Sequence, residues 1–279
     1  MNTTQLRQID FSETTYGVVK RVRVFDGWLN KIRASQGANT LSILDFGCGT
    51  GALVAVPLAG RGDHIHGVDF HEPSIVLARQ RNAQRSNLSF GIETTAQLIE
   101  RRMQYDVIIC SEVLEHLYTP AETLQDFYKL LAPGGWLFIT VPNGYGSYEN
   151  LRRLEKRLNH FRPTAFLLDL ARKFKVWLKR IKNAPKPATS DGANAEIGYL
   201  NSESGHVQFF RLDEIKNLFA ESGFSLEITR GRTLLCGPYV DYLAILPLNH
   251  LFLKLNADIA DHLPPRFAAD WMFLLRKAE

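Results

Sequence analysis

Residues 41–51, LSILDFGCGTG, run from an apolar stretch directly into three glycines at alternate positions, Gly47, Gly49 and Gly51. A short apolar run closed by glycine reads as a buried strand, and strands buried on both faces belong to parallel sheets covered by helices. A tight strand-to-helix turn made of glycines lets a ligand approach the backbone closely. This one stretch points to an α/β sheet with a ligand at the carboxyl edge of its first strand.

The rest of the chain keeps that rhythm. A helical pattern over 16–33 precedes the turn, and HIHGVDF (64–70), LSFGI (88–92), YDVIICSEV (105–113) and WLFITVPN (136–143) read as strands two to five. Between them lie the helix PSIVLARQRNAQ and another over roughly 121–131, closed by the breaker Pro133-Gly134-Gly135. The alternation stops after Asn143, resumes with the helix RLDEIKNLFAESG and the strand FSLEITRGR, and ends on the strand WMFLLRK (271–277). The chain of 279 residues therefore divides into an N-terminal helical segment (1–40), a core (41–143), an insertion (144–205) and a completion of the core (206–279) that carries a second irregular insertion at 231–270. No internal repeat is present, and NAPKPATSDGANA (183–195) has the composition of a linker or loop.

The glycine spacing bears on the ligand. A dinucleotide fingerprint is GxGxxG, whose third glycine brings helix and strand together, whereas GxGxG stands here. Asp69 ends the second strand, where a carboxylate can accept bonds from both ribose hydroxyls of either NAD or S-adenosylmethionine (SAM). The spacing disfavours a pyrophosphate, so a nicotinamide dehydrogenase is the weaker reading.

Together, the glycine turn, Asp69, YDVIICSEVLEHL and LAPGGWLFITVPN resemble the class I SAM-dependent methyltransferases, over roughly 40–143 and again 207–230. The nearest group is the ubiquinone-biosynthesis O-methyltransferase-like one, which carries a similar E-x-x-E-H sequence. The resemblance implies an α/β fold, a Rossmann-like seven-stranded mostly parallel sheet with helices on both faces and an antiparallel last strand, FSLEITRGR and WMFLLRK pairing at one edge. It also implies a pocket in which Gly47, Gly49 and Gly51, with Asp45 and Cys48 of the same turn, line the methionine part of SAM. Asp69 would hold the ribose, Phe70 would pack on the adenine, Thr95 and Ala96 would neighbour the base, and Ser111 and Glu112 would close the pocket. For Thr95 the competing role is a helix N-cap.

Methyl transfer from a sulfonium is an in-line displacement, in which alignment supplies much of the rate. A hydroxyl nucleophile also needs a base or a metal. Glu112, Glu115 and His116 fall at i, i+3 and i+4, which on a helical turn shares one face; the resemblance implies a metal-ligating role there, with Mg²⁺ as the ion. A carboxylate that only complements the helix dipole is the competing reading. His116 is a candidate base, and His206, ahead of the strand-like VQFFRL, is a partner, an alternative base or a packing residue. Asn143 and Tyr145 leave the carboxyl end of strand five and are candidate acceptor contacts. The CSEV at the end of strand four is not the (D/N)-P-P-(Y/F) signature of amino-methylating nucleic-acid enzymes.

Charge is uneven. Residues 151–187 carry +10 and the remainder −6. Within that block FLLDLARKFKVWLKRIK (166–182) places Leu167, Leu170, Phe174, Trp177, Leu178 and Ile181 on one helical face and basic residues on the other. That profile suits a helix lying at an anionic membrane interface, or a lid with a solvated basic face. The confinement of positive charge to one insertion argues against nucleic acid as partner. Cys48, Cys110 and Cys236 are too few and too scattered for a disulfide framework or a CxxC metal site, and the first residues lack the apolar core of a signal peptide. The expected setting is cytoplasmic, peripheral at the inner membrane face, with a small-molecule, glycan or lipid-linked acceptor. An RNA methyltransferase that uses the insertion as a clamp and a non-catalytic SAM-binding module at a membrane are the alternatives.

Overall fold

The protein is described from a computed structural model over residues 17–146, 206–236 and 249–278. Seven strands form one sheet: β1 (Ser42–Phe46), β2 (His64–Val68), β3 (Leu88–Gly91), β4 (Tyr105–Ser111), β5 (Leu131–Pro142), β6 (Phe224–Gly231) and β7 (Asp270–Lys277). Their order is β3-β2-β1-β4-β5-β7-β6. The first five are parallel, and β7 runs antiparallel to both β5 and β6. The seven-stranded sheet with an antiparallel last strand is as expected, and β6 and β7 pair at one edge, with β6 outermost and β7 against β5. Composition explains the placement, because Asp270 through Leu275 are buried without alternation, whereas β6 alternates partly exposed residues.

Seven α-helices are described: α1 (Val18–Gln36), α2 (Ala55–Leu58), α3 (Glu72–Arg81), α4 (Thr95–Glu100), α5 (Pro120–Leu130), α6 (Leu212–Glu221) and α7 (Asn249–Ile259). Two apolar layers cover the sheet. One gathers Phe25, Leu29 and Ile32 of α1 with Ala55 and Ile75 against Ile43, Val107 and Phe138. The other gathers Leu98, Phe127, Ile215 and Phe219 against Leu44, Ile108, Ile139 and Phe273. In the first layer Phe25 and Trp28 pack on Phe138 with ring centroids 5.3 and 5.1 Å away, which docks α1 across the middle of the sheet. Full burial of each such ring is worth roughly 1.5–3 kcal/mol, enough to hold the N-terminal helix on the core.

Three local expectations are corrected. Pro133-Gly134-Gly135 does not separate α5 from the next strand: β5 begins at Leu131, and the four residues 132–135 form an irregularity opposite Asp106, between the pairs Tyr105–Leu131 and Val107–Trp136, with Gly134 at φ +67°. VQFFRL forms no strand, because the backbone N–H groups of Val207 and Gln208 both donate to the carbonyl of Glu115 at 3.0 Å. The stretch 231–270 is not irregular throughout, since α7 lies within it, tied down by Asn256, which exchanges bonds with the backbone of Leu235. The amphipathic basic segment 166–182 lies outside the described residues. The described residues before and after 147–205 do meet: the Gly144 N–H donates to the Phe210 carbonyl at 3.1 Å, so 143–146 and 206–210 lie side by side at the carboxyl edge of the parallel strands.

Candidate active site

Sheet order reverses between β1 and β4, the place where open α/β sheets bind ligands beyond their carboxyl ends. A cleft of about 170 Å³ opens there, bounded by Gly47, Cys48 and Gly49 from the turn after β1, Ser111 and Glu112 after β4, and Arg21 from α1. Asp45 lines it from below and accepts a bond from the Ala55 N–H at 3.2 Å.

Glycine is required in this turn for two separate reasons. Gly47 has φ +75°, and a Cβ there would stand 2.3 Å from Cγ2 of Val113. Gly49 has φ +54° and would meet nothing within 4 Å, so this position faces open space. Gly51 closes the turn, its N–H donating to the Cys48 carbonyl at 2.8 Å while the Phe90 ring packs against it. Asp69 then fixes the turn from the neighbouring strand: one carboxylate oxygen accepts from the Gly49 N–H and the other from the His71 N–H, both at 2.8 Å. Each oxygen keeps lone-pair capacity for a ribose hydroxyl. Phe70 beside it is 79% exposed, a bare aromatic ring at the position expected to cover a base.

These features fit SAM. The Gly49 side is open for a ligand, the Asp69 oxygens keep capacity for a ribose, and Arg21 adds a cationic side chain to the cleft lining. Arg21 was not legible as a site residue, because nothing in the helix pattern of 16–33 marks one basic residue as inward-facing. Asp45 is pushed up to about 7 by burial, a rise opposed by Arg21 and the Ala55 N–H. The Cys48 thiol is pushed up by burial and then by Asp45 and Asp69, so it stays protonated and inert.

Glu112 departs from the expected geometry. It is not on a helix; it sits at φ +58°, a left-handed conformation that costs a non-glycine residue about 1–3 kcal/mol and persists only where the surroundings impose it. Here they do. Its N–H donates to the Thr140 carbonyl at 3.0 Å, the Thr140 hydroxyl donates to Oε1 at 2.7 Å, and Arg232 donates to Oε2 at 3.2 Å. Arg232 is itself clamped by Asp270 at 2.7 Å. Burial alone would raise Glu112, but Arg232 and Arg21, together with the Thr140 and Arg232 hydrogen bonds, hold it below the usual carboxylate range.

The left-handed bend breaks the helical spacing. Residues Leu114–His116 form a 3-10 turn in which Glu115 is buried. Its carboxyl is raised well above the usual range by burial and then by the charge of Glu112. Glu115 and His116 instead meet His206, and their ligating atoms lie within 4.8 Å of one another. The expected Mg²⁺ set of Glu112, Glu115 and His116 therefore does not fit, since Arg232 and Thr140 already engage Glu112.

Two further expectations change. Thr95 is neither the N-cap nor directed at a base: Thr94 caps α4 in a capping box with Gln97, and the Thr95 hydroxyl donates to Asp126 at 2.7 Å. Ala96 follows it on the exposed side of α4. Asn143 is buried and structural, its amide donating to the Ala268 carbonyl at 2.9 Å and its oxygen accepting from the Tyr145 N–H at 3.1 Å. Tyr145 stays at the surface with the Arg211 guanidinium 4.3 Å from its ring centre. Ser111 shares a 2.8 Å hydrogen bond with the Thr140 hydroxyl at the cleft wall. The Arg232–Asp270 pair joins residues 38 apart and was invisible to motif reading.

A parallel sheet closed by an antiparallel β7, with a glycine turn, an acid after β2 and a cleft at the β1/β4 reversal, defines the Rossmann-like class I SAM-dependent methyltransferase fold. The chain belongs to the methyltransferase family, whose Methyltransferase domain matches residues 21–227. It is 33% identical over 119 residues to the ubiquinone biosynthesis O-methyltransferase of Leptothrix cholodnii, covering 41% of this chain and 50% of that one. With the Pseudomonas aeruginosa enzyme of the same name it shares 31% over 117 residues, again 41% and 50%. The chain thus spans about half the length of the curated relatives it matches. Among solved structures, magnesium protoporphyrin IX methyltransferase from Synechocystis PCC 6803 with bound SAH aligns at a TM-score of 0.53 and 17% identity, over 98% of this chain and 86% of that one. A putative sarcosine dimethylglycine methyltransferase from Galdieria sulphuraria gives 0.51 and 15%, over 91% and 85%. At these identities the structural likeness shows the fold.

Proposed function

We propose that the protein transfers the methyl group of SAM to a hydroxyl oxygen of a small-molecule, glycan or lipid-linked acceptor. The observation that carries the reading is the placement of His116 and His206. Their rings meet edge to face with centroids 5.1 Å apart, His116 lying on the turn that follows β4, four residues beyond Glu112, which lines the cleft. The relatives named as ubiquinone biosynthesis O-methyltransferases support oxygen as the acceptor atom.

In this reading the glycine turn, Asp69 and Arg21 hold SAM with its sulfonium methyl facing the acceptor side. Clamped by Arg232 and Thr140, Glu112 places fixed negative charge beside the ligand's cationic end. His116, with His206 as alternative, takes the proton of the acceptor hydroxyl as oxygen attacks the methyl carbon in line with the departing sulfur. SAH leaves, and the proton remains on imidazole until solvent removes it. The basic insertion follows β5 in the sequence, and its charge suits an acceptor presented at an anionic membrane surface from the cytoplasmic side. Among the described residues no helix is long and apolar enough to cross a membrane. Failure to bind anionic liposomes at low salt would remove the membrane part alone.

The test of the reaction is incubation with methyl-labelled SAM and a fractionated host extract. Label in lipid, glycan or small-molecule fractions, abolished in a His116→Ala/His206→Ala double variant that still binds SAM, is expected. Label only in RNA, or SAM binding that never yields SAH, would overturn it.

A further inference from the structure

Two guanidiniums stand over aromatic rings at the carboxyl edge of β5, the same edge of the sheet as the cleft. That of Arg211 lies 4.3 Å from the centre of the Tyr145 ring, and that of Arg266 lies 4.8 Å from the centre of the Phe267 ring, which is 54% exposed. One buried side chain links the two pairs. Asn143 accepts the Tyr145 N–H through Oδ1 at 3.1 Å and donates through Nδ2 to the carbonyls of Arg266 and Ala268 at 3.3 and 2.9 Å. We propose that Arg211 and Arg266 bind a phosphate or diphosphate group carried by the methyl acceptor. That the group belongs to the acceptor rests on the methyl-transfer reading; binding of the anion does not.

Three observations support the site. The first is its place. The Gly144 N–H bond to the Phe210 carbonyl sets Arg211 beside Tyr145, and the Phe209 ring lies 6.2 Å from that of His206, which in turn meets His116. An anion held at Arg211 is therefore on the side of the sheet where the candidate bases stand. The second is its rigidity. The segment that carries Arg266 is pinned by the Trp271 indole N–H, which donates to the Pro265 carbonyl at 2.7 Å, and by the Phe267 N–H, which donates to the Pro264 carbonyl at 3.0 Å. A ring face braces a guanidinium without consuming its N–H donors, so both forks are held ready for an acceptor oxygen.

The third observation is charge, which decides the class of anion. Among the described residues Arg266 has no carboxylate partner. Arg211 has Glu214 at 3.8 Å, but the two side chains are 62% and 61% exposed, and a surface pair of that kind holds its arginine only weakly. Two positive charges thus stand at this edge with little to offset them. One guanidinium fork satisfies a carboxylate, whereas a phosphate or diphosphate offers enough charge and enough oxygens for two.

Calorimetric titration of the full-length protein with inorganic pyrophosphate at fixed ionic strength, without SAM, tests the site whether or not the methyl-transfer reading stands. The wild type should bind saturably, and Arg211→Gln and Arg266→Gln should each weaken pyrophosphate at least about tenfold, the lower end for a hydrogen bond to a charged group. Arg276→Gln should leave the affinity unchanged. Its guanidinium also stands over a ring, 5.5 Å from the centre of Trp136, but at the opposite edge of the sheet. Thermal melts matching the wild type report that these exposed substitutions leave the fold intact. Cosedimentation with phosphatidylcholine vesicles containing phosphatidic acid separates the sources of the group. Weaker vesicle binding by the Arg211→Gln/Arg266→Gln double variant assigns the phosphate to a lipid head group, and unchanged vesicle binding assigns it to a soluble acceptor. No saturable pyrophosphate binding, an affinity indifferent to both arginines, equal weakening by Arg276→Gln, or acetate that displaces pyrophosphate as well as inorganic phosphate does would each overturn the proposal.

Discussion

Replacing Arg232 by Met removes the cation that holds the buried Asp270 carboxylate and the partly exposed Glu112 carboxylate, while keeping most of the side chain's volume. Its side chain is 5% exposed and that of Asp270 2%, and the guanidinium reaches Asp270 at 3.0 and 2.7 Å and Glu112 at 3.2 Å. In Arg232→Met, Asp270 keeps only the N–H and hydroxyl of Thr233, at 2.9 and 3.1 Å. Breaking a buried pair from one side costs about 3–5 kcal/mol, the same scale as losing two charge-assisted hydrogen bonds of roughly 1.5–3 kcal/mol each. The cost carries a pH signature. Asp270 is already raised by burial, with Arg232 the main opposing influence, so its carboxyl rises further once Arg232 is gone. The folded state then keeps a proton that the unfolded chain releases above about pH 4, and stability falls as pH rises towards the elevated folded value. Urea denaturation should therefore show a deficit of about 3–5 kcal/mol near pH 8 that shrinks towards pH 5. Arg232→Met/Asp270→Asn should recover part of it. A deficit below about 1 kcal/mol, or one equal at both pH values, refutes the reasoning.

The remaining predictions concern the cleft and its surroundings. Asp45, raised to about 7 by burial, should lose its proton when cationic SAM binds; affinity then strengthens as pH rises through neutrality, and calorimetry in buffers of different ionisation enthalpy should register proton release that Asp45→Asn abolishes. Without ligand, the same raised carboxyl makes the fold less stable as pH climbs from about 4 towards neutrality, which thermal melts of wild type and Asp45→Asn should separate. Asp69→Ala should weaken SAM by about 10- to 100-fold, the scale of one charge-assisted ribose contact, while the melt stays cooperative. Thr95→Val should cost about 1 kcal/mol through the lost bond to Asp126 and leave SAM affinity unchanged; a weaker SAM affinity would restore Thr95 to the pocket.

The strands were legible because the parallel ones are short apolar runs bounded by glycine or polar turns, too short for a helix. Asp69 and the glycine turn were legible because the backbone conformation a close ligand demands restricts residue type. What escaped depended on conformation or on distance along the chain. The i, i+3, i+4 argument for Glu112, Glu115 and His116 assumed helical backbone, and a single left-handed residue at Glu112 redirected its carboxylate to Arg232 and left His206 to complete the cluster. The helix α7 hid in a stretch taken as irregular because Leu251, Leu255 and Ile259 are 48%, 47% and 40% exposed, so its apolar spacing is not matched to a core. Arg21 went unmarked and Asn143 changed role for the same reason: only the docking of α1, and the approach of 266–268 to the end of β5, determines what those side chains face.

The central claim is that the cleft where β1 and β4 diverge is a SAM site. Calorimetric titration of the full chain with SAM, repeated for Gly47→Ala and with NAD⁺ as competitor, tests it most directly. The account predicts saturable SAM binding that NAD⁺ does not displace and that fails in Gly47→Ala, where a Cβ would strike Val113 at 2.3 Å. NAD⁺ binding without SAM binding, or SAM binding indifferent to Gly47, would contradict it.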